Sequence, residues 1–136
     1  MELPTFDLHD PLIASLPGDV RVILDVEDGT VWTADRGGSI SVYDEATGAQ
    51  LHTITHDMQC PLDFALVGPN EVWAGRADGN IIIFDRESRV GTTQVMGHTG
   101  GVFTLLSDSM GSVYSGGADW KIKQWAAETH EVRLVE

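Results

Sequence analysis

The sequence has a single cysteine, Cys60, so no intrachain disulfide can form and the Cys-rich framework that staples small secreted domains is absent. A reducing compartment is implied, and a cytoplasmic location is the expectation. Basic residues are also scarce: 8 Lys plus Arg stand against 21 Asp plus Glu, for a net charge of -13. Phosphate backbones and anionic lipid surfaces are bound through Lys and Arg that displace counterions, so the reading is no nucleic acid and no membrane partner. No apolar run approaches a membrane span, and the start, Met1 to Asp7, lacks the basic flank and apolar stretch of a signal peptide. Helical periodicity is nearly missing, and Gly37-Gly38 and Gly116-Gly117 have no helix after them to make a phosphate-cradling loop.

What the chain does contain is enough apolar material for a core. Of its 136 residues, 42% are hydrophobic and 7% aromatic, which suits one domain. The charge is uneven: residues 1–68 hold 12 acids and 2 bases (net -10), and residues 69–136 hold 9 acids and 6 bases (net -3). A basic or neutral protein face would be steered toward the first half.

A period of 41 residues runs through the chain. Val31-Trp32, Val72-Trp73 and Val113-Tyr114 are each 41 apart, and Tyr43, Phe84 and Trp125 keep the same step. So do the apolar columns Ile23, Phe64, Leu105 and Ile40, Ile81, Ile122. The turn positions Gly29, Asn70 and Gly111 follow as well, and all three residue types tolerate the left-handed backbone of a tight hairpin. Within the middle period, Pro61–Leu66, Glu71–Gly75, Asn80–Asp85 and Val90–Met96 are short β-branched or aromatic runs bounded by Gly, Pro, Asn or Asp. That is the pattern of successive antiparallel hairpins, and four strands in about 40 residues is what a β-propeller blade requires. The expected fold is therefore all-β, with three four-stranded antiparallel blades at about 20–55, 61–96 and 101–135 in a propeller segment covering 11–136. Ile13 lies 41 before Ile54, so Pro11–Leu16 reads as one extra N-terminal outer strand and residues 1–10 as a tail.

Gly97-His98, Ser115-Gly116, Asp119 and Trp125 resemble the WD40-repeat propellers, whose repeats run from a Gly-His to a Trp-Asp. The resemblance covers residues 11–136 and implies a structural tetrad, in which the Trp125 indole donates to the Ser115 hydroxyl, Ser115 bonds His98, and His98 bonds Asp119. Such a network satisfies groups that would otherwise be buried without partners, and His98 and Asp119 are read as structural rather than catalytic. The first period departs from the pattern with Thr33, Gly37 and Tyr43, and the second with Ala74 and Phe84 beside a retained Asp78. Those two blades are expected to depend on apolar packing instead of hydrogen bonds, with Trp32 and Trp73 wedged between neighbours. A weaker similarity, in Glu71–Gly75 and Thr30–Ala34, is to the divergent WD40 repeats that precede catalytic domains in some inositol polyphosphate 5-phosphatases.

Other chemistry is poorly spaced. His52, His56, Asp57 and Cys60 suggest a zinc site, but two histidines four apart in a strand are separated by about 13 Å. His56, Asp57 and Cys60 could still meet in a loop, and an exposed loop is the preferred reading. Cys60 with His56 as base lacks any oxyanion or orienting group, and Asp25, Glu27, Asp28 and Gly29 miss the spacing of an EF-hand. No metal, no cofactor and no catalysis are expected.

The resemblance implies that the turns between second and third strands share one top face with the loops joining blades, and that peptides bind there. Position assigns Asp35, Arg36, Arg76, Ala77, Trp120, His56 and Met58 to it. An exposed Trp beside Arg and Asp has the composition of a binding hot spot. In the other reading Trp120 lies against a neighbouring loop and the charges solvate the face. The expected function is a non-enzymatic protein–protein interaction scaffold that holds a basic or neutral peptide or protein. The alternatives are the N-terminal targeting propeller of a larger enzyme, such as an inositol polyphosphate 5-phosphatase, and a self-assembling structural unit. Propellers close with about 4 to 8 blades, so a three-blade chain is expected to be cut from a longer propeller or to complete its ring by association. A homo-oligomer of two chains and six blades is the simplest closed form.

Overall fold

The computed structural model describes residues 19–54 and 59–135; the expected tail at 1–10 and the extra strand at Pro11–Leu16 lie outside them. Blade 1 consists of β1 (Val20–Asp25), β2 (Thr30–Asp35), β3 (Ile40–Asp44) and β4 (Gln50–Ile54). Blade 2 consists of β5 (Pro61–Val67), β6 (Glu71–Arg76), β7 (Asn80–Asp85) and β8 (Gly91–Met96), and blade 3 of β9 (Val102–Ser107), β10 (Ser112–Gly117), β11 (Ile122–Ala126) and β12 (Val132–Val135). Each is a four-stranded sheet whose strands pair in sequence order, and every pairing is antiparallel. Among the described residues no helix is long and apolar enough to cross a membrane.

The 41-residue step is written into the backbone as well as the side chains. At the bottom of each blade the N–H groups of Glu45, Arg86 and Ala127 donate to the carbonyls of Gly29, Asn70 and Gly111. At the opposite end Arg36, Ala77 and Ala118 donate to Asp19, Cys60 and Gly101, which ties each turn between second and third strands to the segment leading into its own blade. In the last turn of each blade Gly48, Arg89 and His130 all adopt a left-handed backbone. The first turn is less regular than its sequence suggests. Gly29 and Gly111 are left-handed there, but in blade 2 the left-handed residue is Gly68, directly before Pro69, and not Asn70.

The core lies between the blades. Side chains alternate across a strand, so a blade covered on both sides buries both alternating sets, which explains the unbroken run Ile81-Ile82-Ile83-Phe84. Phe64, Val72, Ala74, Ile82 and Phe84 pack on blade 1 with Val22, Trp32, Ile40 and Val42. Ala65, Val67, Trp73, Ile81 and Ile83 pack on blade 3 with Val102, Leu105, Val113 and Trp125. Each fully buried aliphatic or Phe side chain here contributes about 1.5 to 3 kcal/mol.

Trp32 and Trp73 are both fully buried between blades, yet their polar ends differ. Trp32 meets Phe64 and Phe84 edge to face, with ring centroids 6.3 and 5.8 Å away, and its indole N–H has no hydrogen-bond partner among the described residues. The Trp73 indole donates to the Glu71 carboxylate at 3.0 Å. Trp73→Phe is therefore expected to cost about 1 kcal/mol more than Trp32→Phe, because only the first gives up a charge-assisted bond. Urea unfolding midpoints of the two variants check this, and equal losses would contradict it.

Candidate interaction face

The turns between second and third strands place three columns at the top of the blades: residues 35, 76 and 117, then 37, 78 and 119, then 38, 79 and 120. Each blade satisfies its turn differently. In blade 3 Gly117 leaves the space that His98 fills, since a Cβ on Gly117 would lie 2.5 Å from the His98 ring. His98 Nδ1 then reaches Asp119 Oδ1 at 2.8 Å, its Nε2 reaches Ser115 Oγ at 2.8 Å, and the Trp125 indole donates to the same Ser115 Oγ at 2.8 Å. His98, Ser115 and Trp125 are buried, so the structure brings these four side chains together as one hydrogen-bonded chain running from the core to the turn. Burial pushes the Asp119 carboxyl up, but hydrogen bonds from His98 and from the N–H groups of Thr99 and Lys121 outweigh it and hold the group below its ordinary value.

In blade 2 the Gly117 position is Arg76, and that arginine supplies what a histidine supplies in blade 3. Its Nε donates to Asp78 Oδ1 at 3.2 Å and its Nη2 to Asp78 Oδ2, while the Asn80 N–H donates to Asp78 Oδ1 at 3.1 Å. Burial raises the Asp78 carboxyl, and the Arg76 bonds with those from Asn80 bring it below its ordinary value. In blade 1 the polar group sits at Asp35, whose Oδ1 accepts from the Ser39 N–H at 3.0 Å. The expectation that blades 1 and 2 would depend on apolar packing alone is thus corrected: their top turns carry hydrogen-bonded carboxylates of different design.

The same geometry sorts the residues assigned to the top face. Arg76 is only 3% exposed and Asp35 is also buried, so neither is available as an outward contact, and that assignment is corrected. The Arg76 side chain folds onto its own turn, where the Asp78 carboxylate two residues on accepts from it. Arg36 is exposed and makes a surface ion pair with Asp19 at 3.4 Å, of the kind worth about 0 to 1 kcal/mol. Ala77 donates its N–H to the Cys60 carbonyl, and His56 and Met58 lie outside the described residues. Trp120 is 95% exposed and lies against no loop among the described residues. Its φ is 69°, in the column where blades 1 and 2 carry Gly38 at 90° and Gly79 at 91°.

The remaining candidates fall elsewhere. His56 and Asp57 of the supposed zinc cluster lie outside the described residues, and the Cys60 thiol lies 3.4 Å from the Pro61 carbonyl and 3.7 Å from that of Asp35. Asp25 and Asp28 accept from Glu27 N–H at 2.8 Å and Thr30 N–H at 3.0 Å, so both carboxylates shape the first hairpin. Three polar links escaped sequence reasoning because they join unlike columns of adjacent blades. His130 Nε2 meets Glu71 Oε2 at 3.0 Å with its ring edge-on to Trp73, Asp63 Oδ2 accepts the Leu105 N–H at 2.8 Å, and Arg86 donates to the Val26 carbonyl at 3.1 Å.

No protein-family model and no curated protein matches the sequence. Solved structures do. U3-55K superposes with a TM-score of 0.82 at 18% identity over 91% of this chain, and the WD40 repeats of RRP9 with 0.81 at 18% identity over 90%. The fold is that of WD40 propeller blades. A structure of the Mitotic Checkpoint Complex also matches, with a TM-score of 0.76 at 18% identity over 86% of the chain. The chain spans about two fifths of these proteins, 41%, 40% and 38% of their respective chains.

Proposed function

We propose that this WD40 segment is a non-enzymatic protein-interaction scaffold that holds a basic or neutral peptide or protein on its top face and completes its ring by association. The observation that carries the top-face reading is Trp120. A side chain in the left-handed region costs about 1 to 2 kcal/mol, and this one recovers nothing by burial, since it stands 95% exposed where the other blades use glycine. A large aromatic held out in this way is suited to anchor a partner. His98, Ser115 and Asp119 support the non-enzymatic part, because their polar atoms bond one another and the turn. Charge supports the partner class: the net charge is -13, and complementary charge speeds encounter.

An array of unrelated peptides graded from acidic to basic, probed with the full chain, tests the reading. Basic and neutral peptides are expected to bind, more slowly as salt rises because steering is screened beyond about 8 to 10 Å. Trp120→Ala should weaken them by about tenfold or more, and Arg36→Ala by less. Binding that survives both substitutions would place the site elsewhere.

A further inference from the structure

Each blade has a trailing face, turned to the next blade, and a leading face, turned to the one before. Both blade interfaces inside the chain use the same columns. On the trailing side are Trp32 and Trp73, and Ile40 and Ile81, all essentially buried; on the leading side are Phe64 and Leu105, also buried. The trailing columns are open on blade 3, and the inner-strand leading column is open on blade 1. On the trailing face of blade 3, Leu106 is 64% and Ile122 58% exposed, with Tyr114 standing between them in the Trp column; on the leading face of blade 1, Ile23 is 67% exposed. The register sets Tyr114 directly opposite Leu106, as it sets Trp73 opposite Ala65 in blade 2.

We propose that two copies of this chain associate head to tail, the trailing face of blade 3 in one copy receiving the inner strand of blade 1 from the other, with Leu106, Tyr114 and Ile122 against Ile23. This rests on the ring-completing association proposed above and names its surfaces and polarity. The contact uses the inner-strand part of one that the chain already makes twice, and two copies make six blades, inside the range of about 4 to 8 in which propellers close. Charge disfavours like-to-like pairing of leading faces, which would bring together two halves of net -10. Thr33, Ser41 and Tyr43 on the outer leading face of blade 1 are already buried, which confines the contact to the inner strands. Trp120 restrains it. A Cβ on the corresponding Gly79 would run into the carbonyls of His98 and Gly100, the segment leading into blade 3, so a copy approaching in the same way meets the Trp120 side chain.

Light scattering of the full chain over a range of concentrations is the test. The mass is expected to rise from 14.8 kDa toward twice that value, and to rise further in added salt as repulsion between the acidic chains is screened. Leu106→Asp, Ile122→Asp and Ile23→Asp, each kept only if circular dichroism shows an unchanged fold, should each weaken association by about tenfold or more. Mixing Leu106→Asp with Ile23→Asp should recover dimers held by one of the ring's two contacts, since one intact trailing face then meets one intact leading face, and Trp120→Gly should tighten association. A folded monomer at every concentration would overturn both this polarity and the ring-completing reading. A dimer that the Asp variants leave intact, or that mixing fails to recover, would overturn the head-to-tail assignment alone.

Discussion

Gly79→Ala is expected to lower the stability of this protein by about 3 kcal/mol, and Gly29→Ala by only about 1. Both glycines are left-handed, at φ 91° and 88°, so both substitutions carry the same backbone cost. They differ in what the new methyl group meets. At Gly29 nothing among the described residues lies within 4 Å, whereas at Gly79 the methyl would press into the His98 carbonyl oxygen and lie 3.0 Å from that of Gly100. Those atoms are backbone. They are also held in place, because the N–H groups of Gly97 and His98 both donate to the Gly79 carbonyl at 2.9 Å. Relief therefore requires blade 3 to move away from blade 2 at its top, with loss of packing around Val102. Thermal melts of the pair separate the two costs, with a fall of about 10 °C expected for Gly79→Ala and a few degrees for Gly29→Ala. Equal shifts would mean that the blades do not meet closely at this point.

His98→Ala is expected to cost about 3 kcal/mol, against about 1 to 2 for Trp125→Phe. Removing the imidazole strips a partner from both Ser115 and Asp119 and leaves a buried space, while Trp125→Phe removes one donor and leaves Ser115 bonded to His98. The acid limb of the stability curve gives a second readout. Asp44 and Asp85 are held below their ordinary values by backbone hydrogen bonds, first from Thr47 and Ser88 respectively, and Asp108 by one from Ser112. Asp78 and Asp119 are held low against burial by their side-chain partners Arg76 and His98. A carboxyl whose value is lower in the folded state contributes stability that is complete above its unfolded value and is lost as pH falls through the folded one. The wild type should accordingly hold its stability down to about pH 4 and lose it below. His98→Ala should lose less over that interval, because the bond that favours the Asp119 carboxylate is gone. An acid limb with unchanged slope would show that His98 does not set the state of Asp119.

The sequence by itself determined the repeat and, through it, the architecture. A 41-residue phase shared by aromatic, aliphatic and turn columns can be met only by one hairpin-rich unit made three times, and the middle unit's runs became β5 to β8 with ends shifted by a residue or so. The aromatic columns likewise marked Trp32 and Trp73 as side chains held between blades, and both are fully buried. The motif residues His98, Ser115, Asp119 and Trp125 were legible for the same reason, since their spacing inside one repeat is local information.

What only the tertiary structure decided is how unlike columns meet. A strand buried on both faces reads as a continuous apolar run, so Ile81 to Phe84 carries no mark of which side chains face blade 1 and which face blade 3. The direction of Arg76 depends on a carboxylate two residues away and on the absence of a glycine that would admit a histidine, and position in the repeat had placed it outward. His130 and Glu71 lie 59 positions apart, in different columns of different blades, a separation that no 41-residue phase connects. Periodicity specifies the blade because strand pairing within it is local. The stacking angle between blades fixes which residues touch across the gap, and that angle is a property of the assembled sheets.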